Sequence, residues 1–213
     1  MEKNIKVKTK HVAPSPGYFE IDDGIHTYRL MENLSPSMTQ NKLAEFYEEQ
    51  KQKGNPLPLN SIQMIGLLED TANSEDNELK NYVHRSLRNN WLNTLTGVIY
   101  NPAGQKDETI HNYGTSDAYS IIGDIVGNDN WIEKIDNPNA LESLLKTNDI
   151  KKLNEISNKI NKTPMYFWRV NSKPSKKTES AVRFYANDDR LRLDANWDLS
   201  CECPAFLVEK VER

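Results

Sequence analysis

The stretch that most constrains the fold is Ser180 to Trp197, SAVRFYANDDRLRLDANW, two alternating runs around a polar turn. Val182, Phe184 and Ala186 share one face of the first run, and Arg183 and Tyr185 share the other. In the second run Leu191, Leu193, Ala195 and Trp197 alternate with Arg190, Arg192, Asp194 and Asn196. A period of two marks a strand buried on one side, so the segment predicts an antiparallel hairpin. Charge selects its register. A loop at Asn187-Asp188 would set Arg183 opposite Arg192, and like charges opposite each other destabilise a sheet. A loop at Asp188-Asp189 pairs Phe184 with Leu193, Ala186 with Leu191 and Arg183 with Asp194. Both registers bury the same side chains, so charge pairing, worth roughly 0.2–1 kcal/mol per pair, favours the second. It also sets Tyr185 beside Arg192, a cation–π contact worth roughly 0.5–1 kcal/mol at an exposed site.

The rest of the chain reads as hairpins and helices. Ile5 to Lys10 alternates with lysines, the usual protection of an edge strand. Asp23-Gly24 is a two-residue hairpin signal, placing Ile21 opposite His26, Phe19 opposite Tyr28 and Tyr18 opposite Arg29. Ser35-Pro36 opens a helix that Gly54 ends. Asn60 and Gln63 form a capping box for a second helix, and Ser74 caps a third with Leu79, Val83, Leu87 and Trp91 at four-residue spacing. Beside that seam runs Lys80, His84 and Arg88, a stripe suited to an anion or to covering the seam's margin. Strands follow at Leu95–Tyr100 and Thr109–Tyr113. After Gly114, Thr115 or Ser116 caps a helix carrying Ile121, Ile122, Ile125 and Val126. Two short helices, Ala140–Lys146 and Asp149–Ile160, lead to a strand at Met165–Val170, the basic loop Asn171–Thr178, the hairpin, and a last strand at Ala205–Val211. The expected fold is α+β: antiparallel hairpins and a C-terminal antiparallel meander packed with about six helices. One domain over 1–213 is expected, with a subdivision at 1–160 and 161–213 as the variant.

A net charge of −4 and a pI near 5.7 argue against a general nucleic-acid coat or a membrane-surface protein, while leaving room for a local basic face. No run of about 18 apolar residues spans a membrane. MEKNIKVKTKHV has charge but no apolar core for a signal peptide. Cys201 and Cys203 form a lone CxC that makes a poor disulfide, which predicts a reducing compartment and a soluble, cytoplasmic protein.

No strong catalytic, phosphate-loop or dinucleotide motif is present, and no cofactor is indicated. The histidines at 11, 26, 84 and 111 lack metal-ligand spacing, and the CxC supplies at most two of the four ligands a structural zinc needs, so no metal site is assigned. The carboxylate doublets, such as Asp22-Asp23 and Asp188-Asp189, fall at turns and helix ends. Two regions carry chemistry. The polar face of the hairpin offers Arg183, Tyr185, Arg192 and Asn196, joined by Arg169: planar donors and a ring suited to carboxylate, phosphate or base. The leading expectation is therefore an interaction module for an acidic protein or nucleic acid. The segment His111 to Asp117 runs from a strand through a glycine turn into a helix start, where His111 as acid or base and Asp117 as orienting group would suit a hydrolase or phosphoryl-transfer enzyme. A structural subunit of an assembly is the third reading, and oligomeric state is unassigned.

Overall fold

The computed structural model describes residues 5–10 and 17–211. The fold is mixed α+β, with five α-helices and two sheets among the described residues, the strands mostly antiparallel. The five-stranded sheet has the order β1-β2-β3-β12-β4, from β1 (Lys6–Lys10), β2 (Tyr18–Asp22), β3 (Thr27–Met31), β4 (Leu57–Pro58) and β12 (Leu207–Val211). The seven-stranded sheet has the order β7-β6-β5-β10-β11-β9-β8. Its strands are β5 (Leu92–Tyr100), β6 (Asp107–His111), β7 (Tyr119–Gly123), β8 (Asn130–Trp131), β9 (Met165–Trp168), β10 (Thr178–Ala186) and β11 (Leu191–Trp197). The helices are α1 (Gln40–Lys53), α2 (Ser61–Asn73), α3 (Asn77–Asn89), α4 (Asn139–Leu145) and α5 (Ile150–Asn161).

Local chemistry sets these boundaries. Thr39 caps α1, four residues beyond Ser35, and Gly54 ends it in the left-handed region at φ 68°. Asn60 and Gln63 close the expected capping box on α2. Asp76 rather than Ser74 caps α3, accepting from the Leu79 amide at 2.9 Å, and Trp91 falls beyond that helix's end. The lysines of β1 are exposed at the sheet edge, as expected.

The long hairpin has the register that charge pairing selects: Arg183 opposite Asp194, Phe184 opposite Leu193, Tyr185 opposite Arg192 and Ala186 opposite Leu191. Three other expectations are corrected. First, the β2–β3 turn is two residues longer in total, with Ile21 opposite Tyr28 and Phe19 opposite Leu30. The Asp23 carboxylate holds it open by accepting the amides of Ile25 (2.8 Å) and His26 (2.6 Å). The shift is even, so the same side chains stay buried. Second, the segment after Gly114 is strand β7, not a helix. Asn112 and Gly114 both take positive φ, 55° and 75°, so the chain reverses tightly and returns along β6. The β-branched Ile121 and Ile122 suit that strand. Third, the C-terminal strands form no meander. β9 lies parallel to β11, and β12 leaves for the other sheet, where it pairs with β3 and β4.

One continuous core joins the layers. Phe19, Ile21 and Leu30 of the small sheet meet Met64, Leu68, Leu79 and Val83 of α2 and α3, which meet Val98, Val182, Phe184 and Leu193 of the large one. Tyr82 of α3 ties the small sheet down, stacking on Phe19 at 5.5 Å and donating to the Met31 carbonyl at 3.0 Å. Helices α2 to α5 therefore cover the inner face of the seven-stranded sheet. Over part of the outer face lie α1 and the segment through Ala205, which pack Met38, Leu43, Ala44 and Tyr47 on Leu95.

Candidate binding face

The remainder of the outer face is built by a single irregularity in the hairpin. Ala181 pairs with Trp197 while Arg183 pairs with Asp194, so β11 takes three steps where β10 takes two. The extra residue at Ala195-Asn196 is a β-bulge, and a one-residue slip turns every later side chain to the opposite face. Trp197 thereby leaves the face of Leu191 and Leu193 and joins that of Arg192 and Tyr185.

There it completes a ladder that contains all four tryptophans of the chain. Tyr185 stacks on Trp91 with ring centres 4.5 Å apart and planes 8° from parallel, and Trp197 stacks on Trp91 at 4.3 Å. The Arg192 guanidinium lies over Trp91 at 5.4 Å and over Trp168 at 4.8 Å. Trp168 neighbours Tyr166 at 6.4 Å. Arg190 lies over Tyr166 at 4.8 Å and Trp131 at 5.3 Å, while Trp131 meets Tyr166 edge-on at 5.2 Å. Rings and guanidinium groups thus alternate across β10, β11, β9 and β8, all half-buried. Each cation–π contact contributes about 0.5–2 kcal/mol depending on desolvation.

Stacking occupies the flat faces of a guanidinium and leaves its in-plane N–H groups to bond. The two ladder arginines differ there. Arg190 is ion-paired to Asp189, with its Nε at 2.9 Å. Arg192 makes no hydrogen bond or ion pair among the described residues, and although its Nε is enclosed its terminal nitrogens reach the surface. The Trp197 Nε1, also enclosed, has no partner either. Two carboxylates lie within the field of Arg192. Asp194 is 2% exposed and accepts the Asn196 amide at 2.9 Å. Burial pushes its pKa up to about 6 against the opposing pull of that bond and of Arg192. Asp129, which accepts the Arg169 amide at 2.7 Å, is also raised by burial.

The other arginines are internal. Arg183 shares the ladder face but is wholly buried, bonding Asn93 Oδ1 (3.1 Å) and the Cys201 carbonyl (2.7 Å) and lying 5.1 Å from Trp197. Its cross-strand neighbour Asp194 is therefore not its bonding partner. Arg169 shares the parity of Met165 and Phe167 and is on the inner side, again wholly buried. It bonds the carbonyl of Ile125 (3.0 Å) and pairs with Asp136. A Cβ on Gly127 would come within 2.3 Å of the Arg169 guanidinium, which is why glycine stands there. Asn196 is exposed on the bulge.

His111 and Asp117 belong to different neighbourhoods. His111 is buried against α4, with Nε2 3.0 Å from the Ser143 carbonyl and Nδ1 3.3 Å from Thr96 Oγ1. A carbonyl only accepts, so Nε2 carries the proton and Nδ1 accepts from the threonine. Burial lowers the His111 pKa, keeping it neutral. Asp117 is exposed beside α1, bonded to Tyr47 Oη (2.7 Å) and Lys51 Nζ (2.6 Å), which hold its pKa low. The α3 stripe is likewise engaged: His84 meets Asn161 at 3.2 Å and Arg88 pairs with Asp188. The CxC segment bridges Met38 through the Cys203 backbone. Among the described residues no three His, Cys, Asp or Glu side chains group to hold a metal.

Trp91, Trp131, Tyr166, Trp168, Arg190 and Trp197 are the ladder members that sequence reasoning left out of the site. Alternation in Met165-Tyr166-Phe167-Trp168 carries a signal for two of them, since Tyr166 and Trp168 must share a face. Comparison with known protein families, with curated proteins and with solved structures finds no match.

Proposed function

We propose that the chain is an interaction module that holds an acidic segment of a partner protein on its ladder face, with a carboxylate bonded to Arg192. One observation carries this reading: Arg192 lies between Trp91 and Trp168 with its terminal nitrogens at the surface and no hydrogen bond or ion pair among the described residues. An arginine immobilised by stacking has already lost rotamer freedom, so the ordering cost that offsets a surface ion pair is reduced. Tyr185 lies opposite it across the hairpin. A polyanion such as single-stranded nucleic acid is less well matched. The ring faces that would receive bases are taken by one another and by the Arg190 and Arg192 guanidinium groups.

The two free cysteines, one of them buried, suit the reducing compartment expected for a cytoplasmic protein. Among the described residues no helix is long and apolar enough to cross a membrane.

Calorimetric titration with an oligo-aspartate peptide and with a single-stranded oligonucleotide tests the reading. Arg192→Ala should weaken peptide binding by roughly 10- to 100-fold, the value of a charge-assisted hydrogen bond, beside a stability loss of about 1–4 kcal/mol from its two cation–π contacts. Peptide binding that survives Arg192→Ala would remove the face from the function. Tighter binding of the oligonucleotide than of the peptide would transfer the assignment to nucleic acid.

A further inference from the structure

Among the described residues the two sheets have four edge strands, and three are defended against pairing. β1 presents Lys6, Lys8 and Lys10, and β4 and β8 are two residues long, β4 with Pro58. Charge, shortness and proline are the usual ways an edge is blunted. β7 has none of them. It runs for five residues, Tyr-Ser-Ile-Ile-Gly, without charge or proline, and its outward backbone groups meet no partner among the described residues. It also carries two of the three exposed large apolar side chains among those residues, Ile122 at 62% and Tyr119 at 46%, the third being Ile25.

We propose that β7 pairs antiparallel with β7 of a second copy, joining the two seven-stranded sheets into one across a two-fold axis. Two constraints point to the chain's own copy. A two-fold pairing sets each residue opposite one from the same strand, which a charged edge forbids and this neutral one permits. Directly opposed residues must also share a face, so the axis has to pass through a residue rather than between two. Only the axis through Ile121 uses all five positions: Ile121 opposite itself, Ser120 opposite Ile122 and Tyr119 opposite Gly123. Asp124, next along the chain, is already neutralised by Lys106. The axis stands perpendicular to the sheet, so both Arg192 ladders face the same side.

Light scattering after size-exclusion chromatography, run over a dilution series, decides the matter. The wild type should elute with the mass of two chains and fall to one on dilution. Ile122→Lys, at an exposed position, should elute as one chain at every concentration with an unchanged melting temperature, while Ile25→Lys should behave as wild type. The outward-facing amides of 119–123 should exchange slowly only in the two-chain form, while those bonded to β6 are protected in both. A wild type of single-chain mass at every concentration would overturn the pairing and leave the edge to an extended segment of another protein. A two-chain mass that survives Ile122→Lys would overturn it in favour of a different surface.

Discussion

Asp194 is removed from solvent without an ion pair to repay it among the described residues. Its one side-chain hydrogen bond among the described residues comes from the Asn196 amide, while Arg183 across the strand is committed to Asn93 and Cys201. The folded pKa of about 6 lies above the roughly 3.9 of an unfolded aspartate, so the folded state holds this proton more tightly. The proton-linked stability is complete below about pH 4 and is lost as pH rises through about 6. Asp194→Asn cannot ionise and keeps the acceptor for Asn196. It should exceed wild type by up to ~3 kcal/mol above pH 6, with the gap closing near pH 4, as urea melts at the two extremes would record. The same substitution removes a negative charge from beside Arg192, so anion binding at neutral pH should tighten. Arg183→Ala should act on stability rather than on anion binding. It leaves a void and unmatched polar partners in a buried site and should cost ~2–4 kcal/mol in urea melts.

At the scale of elements, the hairpin shows what alternation can and cannot reveal. Its register was legible because opposing charges distinguish two otherwise equal pairings, and the capping box on α2 was legible because both partners lie within four residues. The bulge at Ala195-Asn196 was not, since a period of two runs through Trp197 without interruption in the sequence. The slip depends instead on how β11 meets β10 and on Trp91, more than a hundred positions away, being there to stack. Deleting Asn196 would remove the extra residue and return Trp197 to the inner face, against α-helices already packed there. Lower melting temperature and loss of oligo-aspartate binding are the expected results. The β7 segment misled for a related reason. Ile121, Ile122, Ile125 and Val126 satisfy a helical spacing, yet the left-handed turn at Asn112 and Gly114 aims the chain back along β6. Of the candidate site, Arg192, Tyr185 and Asn196 could be read from strand parity. The burial of Arg183 and Arg169 could not, because what covers them arrives from Cys201, Ile125 and Asp136.

Across the whole molecule, the last fifty residues supply strands to both sheets: β10 pairs with β5 of the large sheet, and β12 lies between β3 and β4 of the small one. The core is shared in the same way. Unfolding should therefore be one cooperative event, with calorimetric and far-ultraviolet transitions coincident, and truncation before Leu207 should lower the stability of both sheets together. A separate consequence follows from the ladder's composition. Since it gathers every tryptophan of the chain, the protein's tryptophan fluorescence is emitted from this one face. No label is needed to watch it. An anion drawn toward Arg192 arrives beside two indoles, so iodide quenching should fall in Arg192→Ala while caesium quenching does not.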